Sequence, residues 1–299
     1  MKPNSHPPIG KLVDIGSHQL HIYPTGEGSP TVVLEPGGMS WCLDWHLVQT
    51  EVAKFTSVCS YDRAGFGWSE PGPLPRTSEQ IATELHTLLS KAGIKKPYIL
   101  VGASFGGHTV RIFAEKYPDE VAGIVLVDAR HEDLDARMPP AWGQMQRSGR
   151  SMYQVMGFAA RVGLLKLLGK LMGEKADPPI LKKLPAELRP TYIEVGYQPK
   201  FFESNLAELD AVAESDAQVR AAGNLASLPL TVIRHGIPEM FARMPVEQAE
   251  QSEKVWQELQ ADLATLSSNS RTLVAEQSGH GIPIDQPGLV AEAIKQMFE

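Results

Sequence analysis

The sequence predicts an α/β fold in which a mostly parallel, doubly wound sheet is interrupted by a helical insertion. Strand-like and helix-like segments alternate through residue 129, which is typical of parallel strands joined by helical crossovers. Residues 130–225 hold helical segments and turns without a convincing strand, and the strand pattern returns at residue 228. We therefore predict a sheet domain, residues 1–129 and 226–299, and an inserted helical cap or lid, residues 130–225.

The composition is that of a globular protein. Of the 299 residues, 42% are hydrophobic and 21% are charged, so the chain can bury a large core and intrinsic disorder is excluded. The net charge is −7, and no run of basic residues is longer than two, which argues against nucleic-acid binding. Two cysteines are too few for a disulfide scaffold and show no metal-ligand spacing, so we expect buried thiols and no metal.

Targeting and membrane signals are weak. Residues 1–10 are polar and carry three prolines, unlike a signal peptide. No segment reaches the roughly 18 consecutive apolar residues of a membrane span. We expect a cytoplasmic protein with no integral membrane segment. The sequence is also compatible with a homodimer.

The elements of the first part follow in order. Residues 31–34 form a β-branched strand that ends at Pro36, and residues 121–127 are nearly all apolar, as in a covered parallel strand. The helix at 78–92 has an apolar stripe, with Ser78 as its cap and Gly93 as its end. Further strands are predicted at 11–16, 19–23, 56–61 and 98–101, and further helices at 44–55 and 105–117.

The insertion and the last part continue the pattern. The clearest inserted helix, residues 161–172, alternates leucines with Arg161, Lys166 and Lys170. A lid over a pocket is the preferred interpretation, and a membrane-surface helix or plain packing are the alternatives. Strands follow at 228–233 and 272–275, and helices at 245–266 and 287–298.

The strongest motif is Gly102-Ala103-Ser104-Phe105-Gly106, placed where a strand must turn into a helix. The two glycines permit close approach of backbone and helix, and the serine is then held exposed in a strained turn. Because serine is a weak nucleophile alone, a base is needed. Among the histidines that follow Ser104, we choose His280, in a short Gly-flanked loop between the last strand and the last helix, with His235 as the alternative.

The acid that orients this histidine has two candidates. Asp128 ends the apolar strand that follows the Ser104 helix, and Glu239 follows the strand at 228–233. Both strand ends neighbour the histidine loop in a doubly wound sheet. Asp128 is preferred, because an unpaired carboxylate at the end of so apolar a strand would be costly.

An acyl-transfer site also needs N–H donors for the developing oxyanion. One is expected from the backbone of Phe105, the residue after the serine. The other is expected from the loop after the third strand, where Gly38 is preferred and Met39 is the alternative.

These motifs resemble those of the α/β-hydrolase family, in its esterase- and lipase-like branch. The matching segments are Pro36-Gly37-Gly38, Asp62 to Ser69, Gly102 to Gly106, Val127-Asp128-Ala129 and Ser278-Gly279-His280. The resemblance covers residues 11–129 and 228–299. It implies a sheet of about eight strands, carboxylic ester hydrolysis and no cofactor. Dehalogenases and epoxide hydrolases of the family use an aspartate nucleophile, and Ser104 argues against both.

The chain departs from the family pattern in two places. The usual His-Gly before the oxyanion loop is Glu35-Pro36-Gly37, and the usual acid after the seventh strand is replaced by Glu239. Some relatives carry the acid after the sixth strand, which is the arrangement that Asp128 matches.

The leading hypothesis is serine-dependent hydrolysis of a small to medium hydrophobic ester through an acyl-enzyme. Apolar residues are expected to line the substrate pocket: Met39, Met138, Trp142, Met145, Met152, Tyr153, Met156 and Phe158. The same residues could serve C–C bond or lactone hydrolysis, acyl transfer or cofactor-free perhydrolysis. A non-catalytic ligand receptor is the remaining alternative.

Overall fold

A single eight-stranded sheet forms the centre of the molecule. The computed structural model describes residues 6–172 and 178–298. The strands are β1 (Lys11–Asp14), β2 (Gln19–Thr25), β3 (Thr31–Glu35), β4 (Val58–Tyr61), β5 (Tyr98–Ala103), β6 (Val121–Val127), β7 (Leu230–His235) and β8 (Ser270–Ala275). They lie in the order β1-β2-β4-β3-β5-β6-β7-β8, and only the pairs β1–β2 and β2–β4 are antiparallel. The predicted mostly parallel α/β sheet is confirmed.

Helices cover both faces of the sheet. The described helices are α1 (His46–Val52), α2 (Ser78–Ala92), α3 (Gly106–Lys116), α4 (Leu134–Arg137), α5 (Pro140–Arg161), α6 (Leu164–Met172), α7 (Pro179–Lys183), α8 (Arg189–Gly196), α9 (Pro199–Asp210), α10 (Val212–Ala222), α11 (Val246–Ala264), α12 (Ile282–Asp285) and α13 (Pro287–Lys295). One apolar layer joins the sheet to α2, α3 and α10, and the other joins it to α1 and α13. The free thiols Cys42 and Cys59 are buried, as expected.

The ends of α2 show how local sequence sets an element. The helix spans the predicted residues, but Thr77 is its N-cap, with its side chain accepting the N–H of Gln80. The prediction that Ser78 caps the helix is wrong: Ser78 is the first residue of the helix, and its N–H donates to Ser215 Oγ at 3.0 Å. Gly93 ends the helix in the left-handed conformation, at φ 73°, as predicted.

Seven described helices, α4 to α10, lie between β6 and β7. The predicted helix at 161–172 is divided at Gly163, so that α5 ends at Arg161 and α6 begins at Leu164. The last of the seven, α10, packs with the sheet domain, since Val219 lies in the core between the sheet, α2 and α3. The predicted cap, residues 130–225, thus includes one helix, α10, that packs on the sheet.

Two of the predictions reach beyond the described residues. Residues 1–5, part of the segment weighed as a signal peptide, lie outside them, as do the side chains of Lys166 and Lys170 on α6. Among the helices that the structure describes, none combines the length and apolar character needed to cross a membrane.

Candidate active site

Ser104 occupies a strained turn between β5 and α3. Its φ is +48°, a left-handed conformation that serine rarely adopts. The turn is tight because a Cβ on Gly102 would lie 2.7 Å from the carbonyl oxygen of Gly106, and a Cβ on Gly106 would lie 2.6 Å from that of Pro36. The predicted close approach at both glycines is therefore present. It brings the serine beside the loop that follows β3.

Ser104, His280 and Asp128 form a continuous hydrogen-bonded chain. Ser104 Oγ lies 3.0 Å from His280 Nε2, and His280 Nδ1 lies 2.6 Å from Asp128 Oδ2. An ionised carboxylate can only accept, so Nδ1 carries the proton and Nε2 is free to accept from the serine hydroxyl. A serine, a histidine and a carboxylate joined in this order can serve as nucleophile, base and orienting acid. The three residues come from the carboxyl ends of β5, β6 and β8.

The Asp128 carboxylate is fully buried and surrounded by donors. Oδ2 accepts from the Nδ1 atoms of both His280 and His235, at 2.6 and 2.7 Å. Oδ1 accepts from Trp256 Nε1 at 3.0 Å and from the backbone N–H of His235 at 3.2 Å. Burial raises the pKa of Asp128, but the hydrogen bonds from the two histidines outweigh it and hold that pKa well below its usual range. Asp128 is thus an anion at neutral pH.

Glu239, the other candidate acid, has an exposed side chain that packs against Gly279. A Cβ added to Gly279 would lie 2.1 Å from Glu239 Oε1. The Nδ1 atom of His280 is already bonded to Asp128. Of the two candidate acids, the structure brings Asp128 to the histidine.

The other candidate histidines serve different contacts. His108 is buried in α3, with Nε2 2.7 Å from Asp216. His131 accepts the N–H of Asp133 at Nδ1, at 3.0 Å. His235, the alternative base, ends β7 and bonds Asp128 rather than Ser104. Only His280 among these reaches the serine in the described part of the chain.

The N–H groups expected to meet an oxyanion lie beside Ser104. Gly38 and Phe105 both line the cavity that contains Ser104, and neither backbone N–H has a protein acceptor among the described residues. A Cβ on Gly37 would lie 3.2 Å from Ser104 Cβ, which places the loop directly over the serine. Met39 follows Gly38 at φ +58°, and its side chain packs away in the cluster that contains Trp41.

A buried arginine holds that loop in place. Arg63 is 1% exposed and donates to the carbonyl oxygens of Pro36 and Gly37. Its guanidinium also pairs with Glu35 at 2.9 Å and, through two hydrogen bonds of 2.7 and 2.9 Å, with Glu208 on α9. The loop and the inserted helix α9 therefore share one ion network. The sequence alone does not predict this network, because 145 residues separate Arg63 from Glu208.

Ser104 and His280 open into a cavity of about 1130 Å³. Of the predicted lining residues, Trp142, Met145, Met152 and Tyr153 lie at its wall. The other four lie elsewhere. Met39 and Met156 pack in the cluster of Trp41 and Phe66, Met138 packs beside Phe241, and the Phe158 side chain is 68% exposed. These four residues are not among those that line this cavity.

One buried cluster has the residue types of a metal site. Ligand atoms of His21, Cys42 and Asp62 lie within 4.8 Å of one another. Asp62 already accepts backbone N–H groups from Cys42 and Trp68, at 2.9 and 3.0 Å, and its Oδ2 lies 2.9 Å from His21 Nδ1. Burial, reinforced by Asp62, raises the pKa of the Cys42 thiol well above its usual value, which disfavours the thiolate that a metal requires. The cluster fits a packing role for the turn that begins at Asp62.

Known proteins share this fold. A family model described as the alpha/beta hydrolase fold matches residues 30–160. A probable transporter of Hormonema carpetanum is 27% identical over 96% of this chain, which spans only 42% of that relative's length. The 2-hydroxy-6-oxo-2,4-heptadienoate hydrolase of Pseudomonas putida is 27% identical over 73% of this chain and 76% of its own. A thermophilic esterase from Thermogutta terrifontis is 22% identical and superposes with a TM-score of 0.63, covering 96% of this chain and 97% of the esterase.

The fold and the matched family model agree with the resemblance found in the motifs. The chain has the alpha/beta hydrolase fold.

Proposed function

We propose that the protein is a serine-dependent hydrolase of carboxylic esters that works through an acyl-enzyme. The observation that carries this proposal is the hydrogen-bonded chain from Ser104 Oγ through His280 to Asp128, opening into a cavity. A nucleophile, a base and an acid in this order suit acyl transfer. In this proposal the chain needs no cofactor.

Acylation begins with attack by Ser104 Oγ on the ester carbonyl carbon. The hydroxyl proton passes to His280 Nε2, and the resulting imidazolium is stabilised by Asp128 at 2.6 Å. As the tetrahedral intermediate collapses, the bond to the alcohol oxygen breaks. His280 returns the proton to that oxygen, the alcohol leaves and the acyl group remains on Ser104.

Deacylation repeats these steps with water. His280 removes a proton from water, the hydroxide attacks the acyl carbon, and the carboxylic acid leaves as Ser104 regains its proton. In both halves, the N–H groups of Gly38 and Phe105 stabilise the oxyanion. Each such donor is worth roughly 10²–10³ in rate. Gly38 is preferred over Met39 because Gly38 lines the cavity.

The cavity supports a small to medium hydrophobic ester. Trp142, Met145 and Tyr153 offer apolar and adaptable surface at its wall. These three residues lie on α5, in the insertion that we propose to act as a cap over Ser104. Acyl groups longer than the cavity would lose affinity.

A panel of p-nitrophenyl esters, from acetate to dodecanoate, tests the proposal. The wild-type protein should hydrolyse them with a preference for short or medium chains, and Ser104→Ala should lose nearly all turnover. Ser90→Ala, at an exposed position near the end of α2, is the matched control and should retain full activity. Turnover that survives in Ser104→Ala would contradict the serine mechanism. Acylation without release would favour the receptor alternative.

A second candidate is hydrolysis of a carbon–carbon bond in a keto acid. The Pseudomonas putida relative is a 2-hydroxy-6-oxo-2,4-heptadienoate hydrolase. Arg147 and Arg243 line the cavity of this chain, and within the described ranges neither has an ion-pair partner, so a substrate carboxylate could bind them. A kcat/KM for 2-hydroxy-6-oxo-2,4-heptadienoate above that of every ester would favour this function. Assays with a lactone, an added alcohol or hydrogen peroxide separate lactone opening, acyl transfer and perhydrolysis.

A further inference from the structure

A second histidine contacts the carboxylate that orients His280. His235 Nδ1 lies 2.7 Å from Asp128 Oδ2, the same oxygen that lies 2.6 Å from His280 Nδ1. The His235 side chain is 1% exposed. One buried carboxylate oxygen therefore receives a ring N–H from each of two histidines.

The other ring nitrogen of His235 faces a second carboxylate. Nε2 lies 3.0 and 3.1 Å from the two carboxylate oxygens of Glu253 on α11. Ionised carboxylates only accept hydrogen bonds, so both ring nitrogens must donate, and His235 is an imidazolium. Burial lowers the pKa of His235, but its hydrogen bonds to Asp128 and Glu253 outweigh burial and raise that pKa to about 9.

The surrounding charges also favour a cation at this position. The charged and titratable groups near His235 come from α11 and from the ends of β6, β7 and β8: Asp128, Arg234, Glu253, Glu276 and His280. Three of these are carboxylates. The neighbouring cation, Arg234, directs its guanidinium to Gln257 Oε1 at 2.6 Å.

We propose that His235 is a positively charged positioning residue, which holds Asp128 in place and opposes a second positive charge on His280. This role presupposes that Ser104, His280 and Asp128 carry out the hydrolysis proposed for them. A positive charge on the far side of one shared oxygen makes a second positive charge on His280 less favourable. The enzyme should therefore stay active to lower pH than it would with Asp128 alone.

His235→Asn tests this role in the pH profile of kcat/KM. The asparagine amide takes the position of Nδ1, so a donor to Asp128 remains while the charge is removed. We expect the acid limb of the profile to move up by about one pH unit, because no charge at residue 235 then opposes the positive charge of the His280 imidazolium. A merely structural role would change the plateau and leave the limb in place.

His108→Gln is the matched control for the pH profile. His108 is also buried and also bonds a carboxylate, through Nε2 at 2.7 Å to Asp216, but it does not touch Asp128. Its loss should leave the acid limb where it is. An equal shift in both variants would overturn the proposal.

Nitrogen NMR of the full chain, labelled at histidine, tests the charge without turnover. At pH 7 the wild-type protein should show one histidine protonated on both nitrogens that is missing in His235→Asn. A neutral His235 at pH 7 would overturn the proposal, even if the variant failed to fold. Absence of hydrolysis, with a charged His235, would instead refute the proposed function.

Discussion

The carboxylate of Asp128 lies 2.6 Å from Nδ1 of His280, although 152 residues separate them in the chain. The parallel sheet explains the contact, because Asp128 follows β6 and His280 follows β8 at the same edge. Asp128 takes φ +45°, an unfavourable conformation that turns the chain sharply after the strand. The hydrogen bonds of its carboxylate hold it there.

Asp128→Asn should therefore cripple hydrolysis. The amide cannot stabilise the imidazolium and favours the wrong tautomer of His280, so kcat should fall by up to about 10⁴. Glu239→Gln is the control, and it should keep near wild-type kcat because Glu239 packs against Gly279. Steady-state kinetics on p-nitrophenyl acetate compares kcat of the two variants and so identifies the acid. A larger loss in Glu239→Gln would show that the acid is misassigned.

Glu208→Gln should weaken both the fold and the oxyanion loop. It removes one carboxylate from the buried guanidinium of Arg63, and breaking a buried ion pair costs about 3 kcal/mol of unfolding free energy. The kcat should fall as well, since Arg63 also holds the carbonyls of Pro36 and Gly37. Urea unfolding and ester kinetics measure the two effects.

Glu203→Gln is the matched control on the same helix, α9. Glu203 pairs with Arg161 at the surface, where both side chains are more than half exposed. Its loss should change the unfolding free energy by about 0.5 kcal/mol or less. Equal losses in the two variants would mean that the Arg63 network contributes no more than a surface pair.

Gly106→Ala should affect mainly kcat, with a smaller effect on the free energy of unfolding. The new Cβ would lie 2.6 Å from the Pro36 carbonyl oxygen, so the loop that carries Gly38 must move. Displacing one oxyanion donor should lower kcat by about 100-fold. In Gly288→Ala, on α13, the new Cβ meets nothing within 4 Å, and activity should be unchanged. Full activity in Gly106→Ala would place the oxyanion donors elsewhere.

Stability at alkaline pH should depend on His235. Its pKa rises from 6.5 to about 9 in the folded protein, so the folded state binds this proton more tightly than the unfolded state. The contribution of protonated His235 to the free energy of unfolding is fully present below about pH 6.5 and is lost as the pH rises towards 9. The difference in unfolding free energy between wild type and His235→Asn should shrink across that window. A constant difference would mean that His235 does not carry the charge.

Local patterns predicted the elements that depend on local sequence. The apolar run of β6 and the stripe and end of α2 lie at the predicted residues. The predicted cap of α2 was wrong because Thr77 and Ser78 can both cap a helix, and in the structure Thr77 accepts the N–H of Gln80. The division of the helix at Gly163 follows a similar competition between leucine periodicity and a glycine at positive φ.

The residues of the candidate site that lie in a recognisable sequence motif were predictable. Ser104 and His280 lie in Gly-flanked turns, and the structure brings both together with Asp128. The contacts of Arg63 with Glu208, and of His235 with Glu253, join segments that the sequence does not relate. His235 was considered only as an alternative base. Its contacts with two carboxylates depend on how α11 packs against β7, which no local pattern encodes.

Rapid-quench mass spectrometry of the intact protein with p-nitrophenyl acetate tests directly whether an acyl-enzyme forms at Ser104. We expect a transient mass increase of one acetyl group, formed within one turnover and mapped by peptide analysis to Ser104. Ser104→Ala should show none, and Asp128→Asn should form the adduct more slowly. Steady hydrolysis with no acyl adduct at Ser104, or an adduct on another residue, would contradict the proposed mechanism.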